Sequence, residues 1–147
     1  MQPSFRPSPF ETDDRTDRAV TPRILLDHAA IMTGDLDAST AFYVTLIGLN
    51  LRVVEPDPIR VGRMRAMLVD SEDRDVLEII EMTDLGHPTI PGRGGLHHLG
   101  FRLPQQQWHA LRARLDDAAY PYQEVQHRLF VRDADGLVLE LEQLPGV

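Results

Sequence analysis

The predicted fold depends on one segment, Gly94-Gly95-Leu96-His97-His98-Leu99-Gly100-Phe101-Arg102-Leu103. Its two glycines predict a turn that leads into a β-strand. Because side chains alternate between the faces of a strand, four residues are expected to share one face: Leu96, His98, Gly100 and Arg102. The other face, which starts at His97, is mostly apolar and is expected to lie under a helix. An imidazole beside a glycine is typical of a strand that lines a cavity, so we expect His98 to be a metal ligand.

The same order of elements is predicted twice along the chain. In the first half, an apolar strand at residues 24–32 precedes a helix that Asp35 caps and Gly48 ends, and three strands follow between residues 51 and 81. In the second half, a strand at 96–103 precedes a helix at 104–119, and three strands follow at 122–126, 128–132 and 137–144. The pattern is therefore β-α-β-β-β, repeated at about residues 24–82 and 95–144.

Both halves carry a histidine in the first strand and a glutamate between apolar residues in the last. The four residues are His28, Glu78, His98 and Glu140. Burying an unpaired carboxylate costs several kcal/mol, although each glutamate alone is also typical of a solvated strand face, and a lone histidine of a satisfied core residue. The matching positions favour a shared site with two nitrogen and two oxygen ligands. Such ligands suit Zn, Fe, Co, Ni or Mn, and ligand softness does not choose among these metals.

Composition narrows the range of partners and locations. The 147 residues are enough for one domain with a core. A net charge of -8 without a lysine- or arginine-rich run argues against nucleic acid and anionic membranes as partners. No apolar run approaches the roughly 18 residues of a membrane span, and the lack of cysteine is consistent with a cytoplasmic location. Residues 1–22 are rich in proline and charge and predict a flexible N-terminal tail, which leaves a single domain at 23–147.

Five segments of the chain together resemble the vicinal oxygen chelate superfamily. They contain His28, the helix that ends at Gly48, Glu78, His98, and the turn before Glu140. The superfamily includes glyoxalase I, methylmalonyl-CoA epimerase, extradiol dioxygenases, and bleomycin- and fosfomycin-resistance proteins. The resemblance covers about residues 24–144. It implies an α+β fold in which paired βαβββ modules form a cupped eight-stranded mixed sheet around a metal site. It also implies a homodimer with one divalent transition metal ion per site (Zn, Ni, Co, Mn or Fe).

The resemblance implies a metal-dependent lyase or isomerase of the glyoxalase or epimerase type. In such members the metal ligands occur where this chain has His28, Glu78, His98 and Glu140. The metal would act as a Lewis acid on two adjacent oxygens of a small-molecule substrate, while a glutamate transfers a proton. We expect Glu140 to be this base, with Glu78 as the alternative. Arg102, on the His98 face, is expected to bind a substrate carboxylate, although an ordinary surface arginine would look the same.

Two alternatives remain open at this point. An Fe(II) extradiol-type dioxygenase would use His28, His98 and Glu140 as ligands and His127 beside the substrate, but Phe130 stands where such enzymes carry a tyrosine. A non-catalytic, resistance-type protein would use the same cup to bind a small molecule. The short segment at residues 124–128 has no glycine-rich loop, so neither glutathione nor a CoA ester is the expected substrate.

Overall fold

Two copies of the order β-α-β-β-β follow each other along the chain. The computed structural model describes residues 23–82, 84 and 86–146; the predicted flexible tail at 1–22 lies outside the described residues. The first copy comprises β1 (Ala29–Thr33), α1 (Leu36–Ala41) with a π-helical continuation (Phe42–Ile47), β2 (Asn50–Pro56), β3 (Met64–Val69) and β4 (Asp75–Glu81). The second comprises β5 (Leu99–Leu103), α2 (Gln105–Asp117), β6 (Tyr122–Val125), β7 (Arg128–Arg132) and β8 (Val138–Gln143).

Each copy forms its own mixed sheet. The strand order is β1-β4-β3-β2 in the first sheet and β5-β8-β7-β6 in the second. In both, the first strand runs parallel to the last and the remaining neighbours are antiparallel. The predicted α+β class with paired βαβββ modules is confirmed. The eight strands form two four-stranded sheets rather than one continuous sheet.

The first helix begins and ends where the sequence predicts. Asp35 accepts a hydrogen bond from the backbone N–H of Ala38 at 3.0 Å, which satisfies a donor that the first turn would otherwise leave free. The helix ends at Gly48, whose φ of 102° lies in the left-handed region that favours glycine. Among the described residues, no helix combines the length and apolar character that a membrane crossing requires.

The first strand of each module is shorter than predicted. The prediction of a buried strand over residues 24–32 is wrong at its start: β1 begins at Ala29, and Ile24, Leu25 and Leu26 are 103, 78 and 93% exposed. At the register of the β1–β4 pair, residues 24–26 would face residues 72–74, which precede β4, so they have no strand to pair with. Likewise β5 begins at Leu99, since β8 starts only at Val138.

One apolar core is shared by both modules. Helix α1 packs on β3 and β4, helix α2 packs on β5 and β8, and α2 also contacts the π-helical turn. The helices therefore lie between the two sheets. The core contains fully buried side chains from both halves, among them Tyr43, Leu77, Ile79, Leu111, Leu139 and Leu141. The opposite face of each sheet points away from this core.

Hydrogen bonds join the two modules across the core. The Tyr43 hydroxyl donates to Asp133 Oδ2 at 2.6 Å, and both residues are buried. Burial and the neighbouring Asp133 carboxylate raise the pKa of Tyr43 far above its usual value, so the phenol stays protonated. Arg114 of α2 donates to the carbonyl oxygens of Leu46 and Ile47 at 3.0 and 3.3 Å. These bonds satisfy the end of the π-helical turn and fix the modules against each other.

We predict that Tyr43→Phe lowers the free energy of unfolding by about 1–3 kcal/mol, because Asp133 stays buried and loses a donor. Urea denaturation measures this loss. Tyr122→Phe is the matched control, since Tyr122 donates to Asp116 Oδ1 at 2.6 Å on the exposed side of one module. The control is expected to change the free energy by about 0.5 kcal/mol or less. Equal losses in the two variants would contradict the role of the inter-module bond.

Candidate metal site

Strand register places one histidine and one glutamate equivalently in each module. In the first sheet Ala30 of β1 lies beside Glu78, and in the second Gly100 of β5 lies beside Glu140. His28 and His98 each stand two residues before those partners, directly ahead of their strands. The imidazole of each histidine lies beside the glutamate of its own sheet. The repeated sequence pattern therefore places a histidine and a glutamate at structurally equivalent positions in the two modules.

The predicted ligands come together as two pairs. His28 Nε2 lies 3.4 Å from Glu78 Oε2, and His98 Nε2 lies 2.9 Å from Glu140 Oε2. Among the described residues, no three His, Cys, Asp or Glu side chains are grouped closely enough to hold a metal ion. Within one chain the four residues are thus two half-sites, one on each sheet.

Both pairs lie on the sheet faces that point away from the shared core. The strand neighbours on either side of Glu78 and Glu140 are fully buried in that core: Leu77, Ile79, Leu139 and Leu141. Strand alternation therefore directs the two glutamates to the outer faces. The side chains of His28 and His98 are 35 and 37% exposed. Each half-site is accessible from outside the chain.

The second ring nitrogen of each histidine is held by the preceding residue. His28 Nδ1 lies 2.6 Å from Asp27 Oδ2, and His98 Nδ1 lies 2.8 Å from His97 Nδ1. The expectation that His97 points away from His98 is wrong, because β5 begins only at Leu99 and regular alternation does not reach it. In both pairs Nδ1 is engaged and Nε2 faces the carboxylate, as is typical of histidines that ligate through one nitrogen.

The donor set and its spacing fit a divalent cation. Neighbouring ligands of an ion bound at about 2.0–2.2 Å lie about 2.8–3.6 Å from each other. The separations of 2.9 and 3.4 Å fall within that range. Two neutral imidazoles and two carboxylates together suit Zn, Fe, Co, Ni or Mn. His28, Glu78, His98 and Glu140 are the residues that would hold such an ion.

Arginines contact the other oxygen of each carboxylate. Glu78 Oε1 lies 3.3 Å from Arg65 Nη1 and 3.6 Å from Arg60 Nη1, and Glu140 Oε1 lies 3.0 Å from Arg128 Nε. These arginines were not predicted from the sequence. Their equivalence in the two modules is visible there, since Arg65 and Arg128 precede their glutamates by almost the same number of residues.

The two carboxylates differ in how firmly they are held. The Glu78 side chain is 7% exposed and lies against two guanidinium groups. The Glu140 side chain is 21% exposed, and among the described arginines only Arg128 lies against it; Arg128 donates through Nη2 to Glu142 Oε1 at 3.1 Å. Moving Glu78 would break both ion pairs of a largely buried carboxylate, whereas Glu140 is less constrained.

The predicted substrate residues lie on the second module. Arg102 shares the His98 face beyond Gly100; its side chain is 71% exposed, and its Nε lies 3.6 Å from Glu142 Oε2. His127 is exposed in the tight turn between β6 and β7, where it adopts a φ of 65°. Phe130 lies directly across from Glu140 in the β7–β8 pair. Arg102 therefore lies on the same sheet face as the second half-site.

A cavity of about 710 Å³ lies at the junction of the modules. It is lined by the end of β1, by residues 86–90 and by the turn at residues 133–137, and its exposed apolar walls include Met32 and Ile90. None of the four predicted ligands is among the described residues that line it. The two pairs lie on open sheet faces instead.

Comparisons with known proteins support a family assignment. The sequence profile described as the Glyoxalase/Bleomycin resistance protein/Dioxygenase superfamily matches residues 25–141. No curated protein matches the chain in a sequence search.

Solved structures share the fold. A glyoxylase/bleomycin resistance protein/dioxygenase domain from Frankia sp. EAN1pec is 24% identical, with a TM-score of 0.68 over 84% of this chain and 100% of the other. A trypanothione-dependent glyoxalase I from Leishmania major is 21% identical, with a TM-score of 0.67 over 82 and 87% of the two chains. The fosfomycin resistance protein FosX from Listeria monocytogenes, complexed with Mn(II) and sulfate, is 15% identical, with a TM-score of 0.61 over 82 and 92%. At these identities the likeness supports the fold alone.

The loop beside the first half-site predicts a pH effect on stability. The guanidinium of Arg60, at 2.7 Å, and the backbone N–H groups of Ile59 and Arg60 lower the pKa of Asp57 to about 2. An unfolded aspartate titrates at about 3.9, so this carboxylate stabilises the fold above about pH 4. That stabilisation is lost as the pH falls toward 2.

We predict that Asp57→Asn loses less free energy of unfolding than the parent between about pH 4.5 and pH 2. Urea denaturation at several pH values measures the two slopes. Asp117→Asn, which removes one exposed carboxylate at the end of α2, is the comparison variant. A parent-like slope in Asp57→Asn would contradict the role of this carboxylate.

Proposed function

This chain belongs to the glyoxalase/bleomycin resistance protein/dioxygenase superfamily, and on that basis we propose a divalent-metal-dependent lyase or isomerase whose site is shared by two copies of the chain. One observation carries the proposal. Two modules each present a histidine and a glutamate at the same register, with Nε2 and Oε2 facing each other at 3.4 and 2.9 Å.

The second copy is needed because one chain supplies only halves of the ligand set. Its pairs lie on opposite outer faces, so His28 and Glu78 of one copy would meet His98 and Glu140 of the other. A two-fold symmetric dimer then contains two equal sites. Exposed apolar side chains beside the first half-site, such as Leu26 and Met32, support a covering partner, because burying apolar surface favours association.

In the proposed reaction, a glutamate of the protein transfers the proton. A bound divalent ion would supply Lewis acidity to two adjacent oxygens of the substrate. Glu140 is the proposed base, because it is more exposed than Glu78 and is held by fewer cations. Its carboxylate takes the proton from the carbon next to a carbonyl, and the electron pair of that C–H bond moves toward the carbonyl oxygen. The proton then returns to the former carbonyl carbon, while the proton of the adjacent hydroxyl passes to the former carbonyl oxygen and a new carbonyl forms at the first carbon, which completes an isomerisation.

Arg102 is the proposed binding group for a substrate carboxylate. Its guanidinium is mostly exposed, and its 3.6 Å contact with Glu142 is long for an ion pair, so a ligand carboxylate can compete for it. The half-sites are open, and the turn between β6 and β7 is short. These features favour a small substrate with vicinal oxygens rather than one with a large carrier group.

A complementation experiment tests the shared site. His28→Ala and His98→Ala each damage both sites of a homodimer, but a heterodimer of the two variants contains one intact site. We predict that each variant alone loses tight Co(II) binding and that the co-expressed, differently tagged heterodimer binds about one Co(II) ion. Dialysis followed by elemental analysis measures the metal content. Absence of complementation, or a monomeric parent in analytical ultracentrifugation, would argue for a site within one chain or none.

A second experiment separates the roles of the two glutamates. We predict that Glu140→Gln keeps bound metal but slows proton exchange on hydroxyacetone in D2O by about 10²- to 10⁴-fold, as expected for loss of a general base. Glu78→Gln is expected to lose metal, because the amide replaces the more buried and more firmly held of the two ligand carboxylates. NMR follows the exchange in protein loaded with Zn, Ni, Co or Mn. Oxygen uptake with catechol, seen with Fe(II) alone, would instead indicate a dioxygenase.

A further inference from the structure

Arg65 and Arg128 occupy equivalent positions in the two modules. Arg65 of β3 pairs with Ile80, two residues beyond Glu78, and Arg128 of β7 pairs with Glu142, two residues beyond Glu140. We propose that these arginines are positioning residues that hold the two glutamates as single-oxygen metal ligands. This inference rests on the proposed function, because it concerns how the same site binds its ion.

In each pair the arginine and the histidine use different oxygens of the carboxylate. Arg65 Nη1 donates to Oε1 of Glu78 at 3.3 Å, and Arg128 Nε lies 3.0 Å from Oε1 of Glu140 as an ion pair without hydrogen-bond geometry. The histidine Nε2 atoms face Oε2 in both modules. With Oε1 engaged by a guanidinium, only Oε2 is directed to the place where Nε2 and a cation would meet.

Each guanidinium is itself anchored by a second carboxylate. Arg65 donates from Nε and Nη2 to Glu55 Oε1 at 3.1 and 2.7 Å. Arg128 donates from Nη2 to Glu142 Oε1 at 3.1 Å. A planar guanidinium held at one edge presents its remaining N–H groups in a fixed direction, which a flexible ammonium does not do. The series Glu55–Arg65–Glu78 thus supports one ligand carboxylate from behind, and Glu142–Arg128–Glu140 supports the other less firmly.

If the two arginines acted only through their charge, their removal would have the opposite effect on metal affinity. A guanidinium near a divalent cation repels it, so removing the charge alone would tighten metal binding. Loss of positioning weakens binding instead, and removal of groups that orient metal ligands costs about 10- to 100-fold in affinity. The direction of the change therefore distinguishes the two roles.

The test measures Co(II) affinity by competition with a chromophoric chelator, together with the visible absorption bands of bound Co(II). The variants are Arg65→Met and Arg128→Met, with Arg65→Lys and Arg128→Lys as conservative partners. Arg112→Met is the matched control, since Arg112 pairs with Glu124 at 3.2 Å away from the half-sites. We expect each Met variant to bind Co(II) about 10- to 100-fold more weakly, with altered bands. The Lys variants should fall between Met and parent, and the control should match the parent.

Two further variants keep the inference testable if a Met variant fails to fold. Glu55→Gln and Glu142→Gln loosen the anchors without touching the ligands, and each is expected to weaken Co(II) binding less than the Met change. Parent-like or tighter Co(II) binding in the Met or Gln variants would overturn the positioning role and leave the proposed function intact. A parent protein that binds no Co(II) would overturn both.

Discussion

The structure depends on the need to pair two carboxylates that stand between buried apolar neighbours in the middle of a sheet. Glu78 and Glu140 are each flanked in sequence by residues of the shared core, and neither can leave its strand without unpacking them. An unpaired carboxylate there costs several kcal/mol. A histidine directly ahead of the parallel neighbour strand and an arginine on the antiparallel one pair with each carboxylate and offset this cost. The candidate site is thus built from the same contacts that allow the two strands to be buried.

The shared core also determines where the site can be completed. Both sheets direct their fully buried leucines and isoleucines toward the helices, and Tyr43 and Arg114 link the modules across that layer. The faces that carry the half-sites are therefore those that the core does not use. A single chain with this packing presents its two histidine–glutamate pairs outward, which is why we propose that a second chain completes the ligand set for one ion.

Much of the fold could be predicted from interactions between residues close in sequence. The duplicated order of elements, the Asp35 cap and the Gly48 helix end follow from alternation, capping and backbone preference within short windows. The exposed segment at residues 24–26 was mispredicted, because strand length depends on where the partner strand begins. The contacts of Arg65 and Arg128 depend on sheet register, which a strand considered alone does not reveal.

The repeat is symmetric where it would bind the cation and asymmetric where it would meet the substrate. Met32 and Arg102 are equivalent positions, because they pair with Ile80 and Glu142, each two residues beyond a candidate ligand. One half-site is therefore bordered by exposed and buried apolar side chains, and the other by an exposed guanidinium and a carboxylate. If the two halves face each other across one ion, the ends of a bound substrate meet different surfaces. A duplicated scaffold could in this way fix which of two vicinal oxygens lies nearer to Glu140.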